Sequence, residues 1–521
     1  MSNASQNKTP SRRKATVIHT AGNSGVRALA IVRNLVLIPL YLHYIGAETY
    51  GYWLASGGLL AALGFVEFGI AGLVKQRCAQ AFGQKDYEKG CLYFFHGILA
   101  YIGICVIVAL ACFGVSRFLG TIFSIPSGTA AVVQNAFLLA GASLALDLMM
   151  NVFIAFVTAL QRPAVPAFAR FGGELLNFGV SFGALFAELG LYAIPLGLVI
   201  NKLVGFTAIG LTAYSLLHRY RGKLAVVPHI LKDFLRTSAL LVGAKLGGRV
   251  SGRIEPTLIT LFLQPQLATA YMITKKAGGV FRGLLLSARG GVGASYAHVF
   301  GEGNQEKIMY VYRFGFSFFF WGSVVGLGMY TALNSSFIPL WTQDSDQFLG
   351  QGIAVLIALA LFVLTMFGFL RQLLVSSGLV GQGALFIMGE NFFRLGLMAL
   401  FLPLLGVKGL PLAMIVSSFV LSLLLVWTIK KKVVHFRLFS FRYVPGLFWL
   451  CATSVAGYYI QISSWPLLVG YATLIGLGGS ILALLMSPEL RAEIPRMLNT
   501  FGLGEKWSRL MRRAGLSRTS S

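Results

Sequence analysis

Stretches of about twenty apolar residues, separated by short polar segments, recur from residue 17 to residue 487. Each is long enough to cross roughly 30 Å of hydrocarbon as a helix. A backbone facing lipid must satisfy its hydrogen bonds within the segment, which leaves the helix as the form of such a span. The pattern predicts about fourteen spans, near residues 17–43, 50–74, 91–117, 131–158, 164–187, 190–217, 236–263, 268–294, 309–333, 350–375, 383–404, 407–428, 445–465 and 466–487. The longest connections opposite the basic loops, near 118–130 and 334–349, have about fifteen residues and hold no cluster suited to catalysis.

The pattern is written twice. The run AQAFGQKDYEK at Ala79–Lys89 is matched by AHVFGEGNQEK at Ala297–Lys307, with Ala, Phe, Gly, Glu and Lys at the same five places. Upstream, LIPLYL at Leu37–Leu42 is matched by LITLFL at Leu258–Leu263, and Tyr50 then falls against Tyr271. Between these two matches the second copy is shorter than the first by three, as a small deletion would leave it. The fold class predicted is therefore all-α and polytopic, with two six-helix lobes over 17–235 and 236–430. An extra pair of helices within 431–487 and terminal tails over 1–16 and 488–521 complete the chain. Six spans, an even number, return the second copy to the orientation of the first, so the lobes should share an axis roughly normal to the membrane. Two similar halves are the mark of a transporter whose substrate sits between them.

Composition agrees with a membrane class: 56% of residues are hydrophobic and 12% charged. The charges that remain are placed unevenly. Lys8, Arg12, Arg13 and Lys14 precede the first span; Lys75, Arg77, Lys85 and Lys89 occupy the second loop; Arg219, Arg221, Lys223 and Lys232 follow span six. Lys430–Lys432, Arg437 and Arg442 follow span twelve, and Arg491 through Arg518 fill the tail. The alternate loops carry little beyond Arg117 and Lys408, so the positive-inside rule places both termini in the cytoplasm. The net charge of +26 is largely this topology signal together with attraction to anionic lipid, and a nucleic-acid partner is not expected. No phosphate loop of the GxxxxGK[ST] type supports an ATP-driven mechanism. Neither a metal site nor a disulfide framework is suggested by the five cysteines, and no cofactor is implied. No cleavable signal peptide is visible. Asn334-Ser335-Ser336 forms one glycosylation sequon on the outer side.

Candidate chemistry lies inside the spans. A charge at the centre of a lipid-facing helix costs roughly 2.5–3.5 kcal/mol, so several together must face protein or water. Span one carries Asn23, Arg27 and Asn34 along one face with Arg33 on its flank, and span seven carries Lys245, Arg249 and Arg253 at intervals of four. Span eight carries Lys275, Arg282 and Arg289 at intervals of seven, a column on one face. Lys202 sits near the middle of span six. Embedded acids are fewer: Glu67, Asp147, Glu174, Glu255 and Glu390. Arg170 with Glu174, and Glu390 with Arg394, are spaced as i, i+4 pairs. Arg236, Arg313 and Arg371 fall near span ends and are expected to snorkel. Glu67 is expected to pair with a nearby base. The positive excess left over on spans one, seven and eight asks for an anionic substrate, and arginine forks suit phosphate oxygens. Pro39 and Pro256 are expected to interrupt spans one and seven.

The run RNLVLIPLYLHYIGAETYGYWLA from Arg33 to Ala55, followed by Phe65-Val66-Glu67-Phe68-Gly69-Ile70, resembles the opening of the polysaccharide transporters, the Wzx-type oligosaccharide flippases. These belong to the multidrug/oligosaccharidyl-lipid/polysaccharide (MOP) superfamily with the MATE exporters and the MurJ lipid II flippases. Glu67 stands where the motif more usually has Asp. The resemblance implies a transporter, not an enzyme, in the bacterial inner membrane. It would move an undecaprenyl-pyrophosphate-linked repeat unit of an O-antigen, exopolysaccharide or capsule to the outer leaflet, by alternating access of a cationic cavity between two lobes. It implies membrane lipids, and a polysaccharide polymerase and chain-length regulator, as partners. It also implies that Arg27, Arg33, Arg249 and Arg253 engage the pyrophosphate, as first-helix arginines of each lobe do in MurJ-like members. Asp147, Glu174 and Glu390 are left open between coupling an ion gradient and pairing with arginines. The rival readings are a MATE-like exporter of cationic drugs, which would want acidic cavity residues, an integral-membrane polymerase or ligase of lipid-linked sugars, and a non-transporting scaffold.

Overall fold

A computed structural model of the chain describes residues 12–64, 69–220, 225–230, 232, 252–433 and 440–493. Those residues are helical throughout, with short turns and no strand among them. They divide into two compact units, residues 1–269 and 270–521. The first holds α1 (Arg12–Ile45), α2 (Ala47–Leu63), α3 (Ile70–Gly83), α4 (Tyr87–Ile122), α5 (Ser127–Ala159), α6 (Ala164–Phe186), α7 (Ala193–Arg219) and α8 (Glu255–Phe262). Most of α9 (Pro265–Glu302) belongs to the second, with α10 (Gln305–Thr342), α11 (Gln351–Ser376), α12 (Val380–Leu405), α13 (Gly409–Lys432), α14 (Val444–Tyr459) and α15 (Trp465–Met486). Among the described residues, eight helical stretches are long and apolar enough to cross a membrane, one of them containing both α12 and α13. The chain is thus a multi-pass, all-α membrane protein.

The repeat is visible in backbone detail. α3 and α4 are joined through Lys85, in the left-handed region at φ 62, and α9 and α10 through Gly303 at φ 68. Asp86 caps α4 by accepting from the Lys89 N–H at 3.0 Å. Asn304 caps α10 by accepting from Glu306 and Lys307 at 3.0 and 3.1 Å. Such side chains satisfy the unpaired N–H groups of a helix start. A 3₁₀ turn followed by a helix with proline at its third position occurs at Gly190–Pro195 and again at Gly406–Pro411. The breaks at Gly46, before α2, and at Gln264, before α9, already stand in the register that relates Ala79 to Ala297. The shortening of the second copy therefore lies upstream of these breaks, and the place of Tyr50 falls on Ala268 rather than Tyr271. The expected lobe boundary at 235/236 lies outside the described residues.

Several expected elements differ. The span expected at 50–74 is two helices, because Gly69 at φ 70 takes a left-handed conformation that starts α3 afresh. Pro256 lies in the first turn of α8, directly after turns at residues 252–254, where no backbone N–H is needed; the part of span seven before residue 252 lies outside the described residues. Pro39 does lie inside α1. The expected outer loop at 334–349 shrinks, since α10 runs on to Thr342; its 38 residues span about 57 Å. Consequently Asn334 of the sequon is buried, its Nδ2 donating to the Thr274 carbonyl at 3.1 Å. That side chain has no surface on which to carry a glycan.

Packing in the first unit depends on glycine. A Cβ on Gly51 of α2 would lie 2.0 Å from the Pro265 carbonyl oxygen, and one on Gly58 would lie 2.0 Å from Thr257 Oγ1. These glycines, seven apart, share a face with Ala55, whose carbonyl accepts from Thr257 Oγ1 at 2.6 Å. The Ala47 carbonyl accepts from Thr269 Oγ1 at 2.7 Å. With no side chains between them, α2 approaches α8 and the first turns of α9 closely enough for these bonds. In the second unit α10 is the hub, and Tyr312, Phe316, Phe319, Phe320, Trp321 and Phe369 build an aromatic core along it. α14 is fastened to that hub: Gln351 Nε2 donates to the carbonyls of Thr331 and Ser454 at 2.7 and 3.0 Å. Ser335 Oγ donates to the Gly457 carbonyl at 3.2 Å.

Candidate functional site

The embedded charges of the first unit gather where α1, α5, α6 and α7 meet. Asn201 and Lys202 are consecutive on α7, so their side chains leave the helix about 100° apart and face different neighbours. Asn201 Nδ2 donates to Glu174 Oε2 on α6 at 2.8 Å. Lys202 Nζ lies 2.6 Å from Asp147 Oδ1 on α5. The other oxygen of Glu174 faces α1, where Arg33 Nη1 stands 2.9 Å from Oε1. That contact is close enough for an ion pair but lacks the alignment of a hydrogen bond. One buried carboxylate thus ties α1 and α7 to α6. Arg170, one turn before Glu174, is not the partner that the i, i+4 spacing suggested; Arg33 is, because α1 packs along α6.

The second unit holds a counterpart built from the equivalent positions. Counted from Pro195 and Pro411 of the two proline-led helices, Glu390 on α12 takes the place of Glu174, and Ser418 on α13 that of Lys202. Ser418 Oγ donates to Glu390 Oε1 at 2.8 Å. Arg394, on the same helix, forms the expected i, i+4 pair: its Nε donates to Glu390 Oε1 at 3.0 Å and its Nη2 to Oε2. Arg394 Nη2 also donates to Asn391 Oδ1 at 3.1 Å. Carboxylate, guanidinium and amide are all buried, and each charge is met by a charge, as burial in low dielectric requires.

The remaining candidates separate. Arg27 on α1 and Arg253, just before α8, are both exposed, and among the described residues no carboxylate pairs with either. Lys275 is half-buried on α9, its Nζ 5.7 Å from the centroid of the Tyr271 ring. Arg282 is half-buried on the same helix. Arg289 continues the column along the α9 backbone, but its side chain lies outside the described residues, as do Lys245, Arg249 and Glu67. Glu255 is 1% exposed in the first turn of α8, where a negative charge complements the helix dipole. Among the described residues, no group of His, Cys, Asp and Glu is arranged to hold a metal ion.

Four site residues had no signal in local spacing: Asn201, Lys202 as the partner of Asp147, Arg33 as the partner of Glu174, and Ser418. The repeat of the proline-led helices was the clue within the sequence. It sets Asn201-Lys202 against Ser417-Ser418 and Glu174 against Glu390.

The MatE family profile matches residues 31–182, which include α2 to α5 and most of α6. No curated protein sequence matches the chain. Solved structures do. A lipid II flippase MurJ, in an inward closed conformation, superposes with a TM-score of 0.70 at 13% identity, over 92% of this chain and 99% of that one. An inward-facing multidrug resistance MATE family transporter of the MOP superfamily gives 0.60 at 12% identity, over 81% of this chain and 96% of that one. A Vibrio cholerae MATE transporter gives 0.54 at 14% identity, over 81% and 97%. The chain has the fold that MurJ shares with the MATE transporters of the MOP superfamily.

Proposed function

We propose that the protein is a flippase that carries a lipid-linked oligosaccharide, attached through a pyrophosphate, across the inner membrane by alternating access. The observation behind this reading is the pairing of the embedded acids. Glu174 is taken by Arg33 and Asn201, Asp147 by Lys202, and Glu390 by Arg394 and Ser418. A carrier of cationic drugs needs carboxylates open to its cargo, and these three are occupied by fixed groups. The cations are in excess, and Arg27 and Arg253 present exposed guanidinium groups with two parallel donors each for phosphate oxygens. Arg249 and the Lys275, Arg282 and Arg289 column extend the same reading. Arg33 and Lys202 would support the site through the helices that they tie together. No group acts as a catalyst in this scheme; the substrate is moved, not transformed. Both termini would lie in the cytoplasm, with a polysaccharide polymerase and a chain-length regulator as partners. Depletion of the protein in its host should make a pyrophosphate-linked intermediate accumulate on the cytoplasmic leaflet. Arg27→Ala and Arg253→Ala should each reproduce that accumulation with the protein still in the membrane, and Arg→Lys should rescue only in part, because it keeps the charge and loses the fork. Full export by the double Ala variant would overturn the assignment.

The MatE profile and the shared fold favour a second reading, export of a small cation. Protection of drug-sensitive cells by the intact protein, lost when Asp147 becomes Asn, would support the exporter against the flippase.

A further inference from the structure

We infer that the groove between α12 and α13 is a binding site for one anionic phospholipid. It encloses about 320 Å³, the low end of the range for small-ligand pockets and enough for a headgroup with the start of its acyl chains. Leu385, Phe386 and Trp427 line its apolar part, and Lys431 and Lys432 stand at its rim. Leu385 and Trp427 are 67% and 64% exposed, so the apolar wall opens outward from the helix pair rather than into the protein core. Lys431 Nζ lies 5.2 Å from the Trp427 ring centroid, which holds the ammonium group beside the wall. Among the described residues no carboxylate pairs with either lysine. Gln382 adds a polar side chain to the lining.

Each part of a phospholipid meets a matching part of this groove. The phosphate falls to the two lysines, the glycerol and upper acyl carbons to Leu385, Phe386 and Trp427, and the polar headgroup of a lipid such as phosphatidylglycerol to the end of the groove lined by Gln382. The end of α13 by itself disfavours an anion, since a helix C-terminus carries about half a negative charge. Three consecutive lysines, Lys430 to Lys432, reverse that sign. Their position at the end of a span, with tryptophan one turn inside, is the depth at which headgroups lie. Free inorganic phosphate would gain nothing from the apolar wall. The groove shares no residue with the paired acids and exposed arginines, and it stands whether or not the transport reading does.

The test is native mass spectrometry of the purified full-length protein in detergent, titrated with phosphatidylglycerol, phosphatidylcholine or inorganic phosphate. One phosphatidylglycerol should bind in preference to phosphatidylcholine. The Lys431→Gln/Lys432→Gln variant should bind it about thirtyfold more weakly, taking roughly fivefold per lysine near an anionic surface. Leu385→Trp, which fills the groove, should also lose the lipid, while Lys85→Gln/Lys89→Gln, on another basic loop, should keep it. Equal retention by the Lys431/Lys432 variant and the wild type would overturn the proposal. So would displacement of the lipid by millimolar phosphate, which would show an anion site with no lipid component. A variant that elutes as aggregate is replaced by Lys432→Gln alone, which should still weaken binding about fivefold; no change there would count against the site.

Discussion

Replacing Glu174 by Gln would leave Arg33 largely buried without its counter-charge, and the geometry sets the size of the effect. The two charged groups approach to 2.9 Å, with side chains 19% and 10% exposed. At an effective dielectric constant of about 20, charge centres roughly 4 Å apart attract by about 4 kcal/mol before desolvation is counted. Breaking a buried pair by removing one partner costs about 3–5 kcal/mol. Gln keeps an oxygen for the Asn201 donor and Arg33 retains some solvent, so the expected loss is about 2–3 kcal/mol. Arg33→Gln should cost a similar amount by stranding the carboxylate. The double variant strands neither charge, and the two losses should therefore fail to add by about 2 kcal/mol. Denaturant unfolding of the purified protein in mild detergent, followed by tryptophan fluorescence, measures all four corners of the cycle. Additivity within about 0.5 kcal/mol would show that the pair contributes nothing, and the account of the α1–α6–α7 node would fall. The same variant tests Arg33 as a ligand: with its guanidinium released, inorganic pyrophosphate should raise the unfolding midpoint of Glu174→Gln more than that of the wild type.

Gly51→Ala should destabilise by at least about 1–3 kcal/mol, because its new Cβ meets the Pro265 backbone at 2.0 Å. Gly57→Ala on the same helix meets nothing within 4 Å and should be neutral or stabilising by up to about 1 kcal/mol; a thermal scan of both in detergent decides. Ser418→Ala removes the hydroxyl that reaches Glu390 at 2.8 Å and should cost about 1.5–3 kcal/mol, as for other hydrogen bonds to charged groups; an unchanged unfolding midpoint would deny it a role. On α9, Arg282→Glu should impair export more than Arg282→Ala, since a carboxylate repels phosphate at close range. Equal export by the two variants would move the pathway elsewhere.

Legibility in the sequence followed the range of the interactions. Span positions and the doubled pattern were plain because apolar runs and turn motifs are local, and Asp86 and Asn304 announce their helices by type. The pair Glu390–Arg394 was legible because it closes within one helical turn. Arg33–Glu174 was not, since it joins the first helix to the sixth and a nearer arginine, Arg170, stood at a spacing that satisfied the local rule. Lys202 and Asp147 likewise meet only once α5 and α7 pack. The break at Gly69 was hidden because its neighbours are apolar on both sides, and hydropathy does not register the sign of φ.

Glu174 and Glu390, two of the buried carboxylates, also bear on how the helices can move. Glu390 carries a counter-charge on its own helix, so that ion pair can stay intact while α12 tilts or slides, with the Ser418 hydrogen bond and the attraction of Arg371 on α11 at stake. Glu174 draws its counter-charge from α1, so any displacement of α1 from α6 must pull opposite charges apart in a medium that does little to screen them. Motion of α1 is therefore gated by a barrier on the order of a few kcal/mol, whereas the Glu390–Arg394 pair sets no such barrier to motion of α12. In the first unit, α1, α6 and α7 should shift together as one body, and bending within α1 should fall on the side of Arg33 where Pro39 already interrupts its backbone hydrogen bonding.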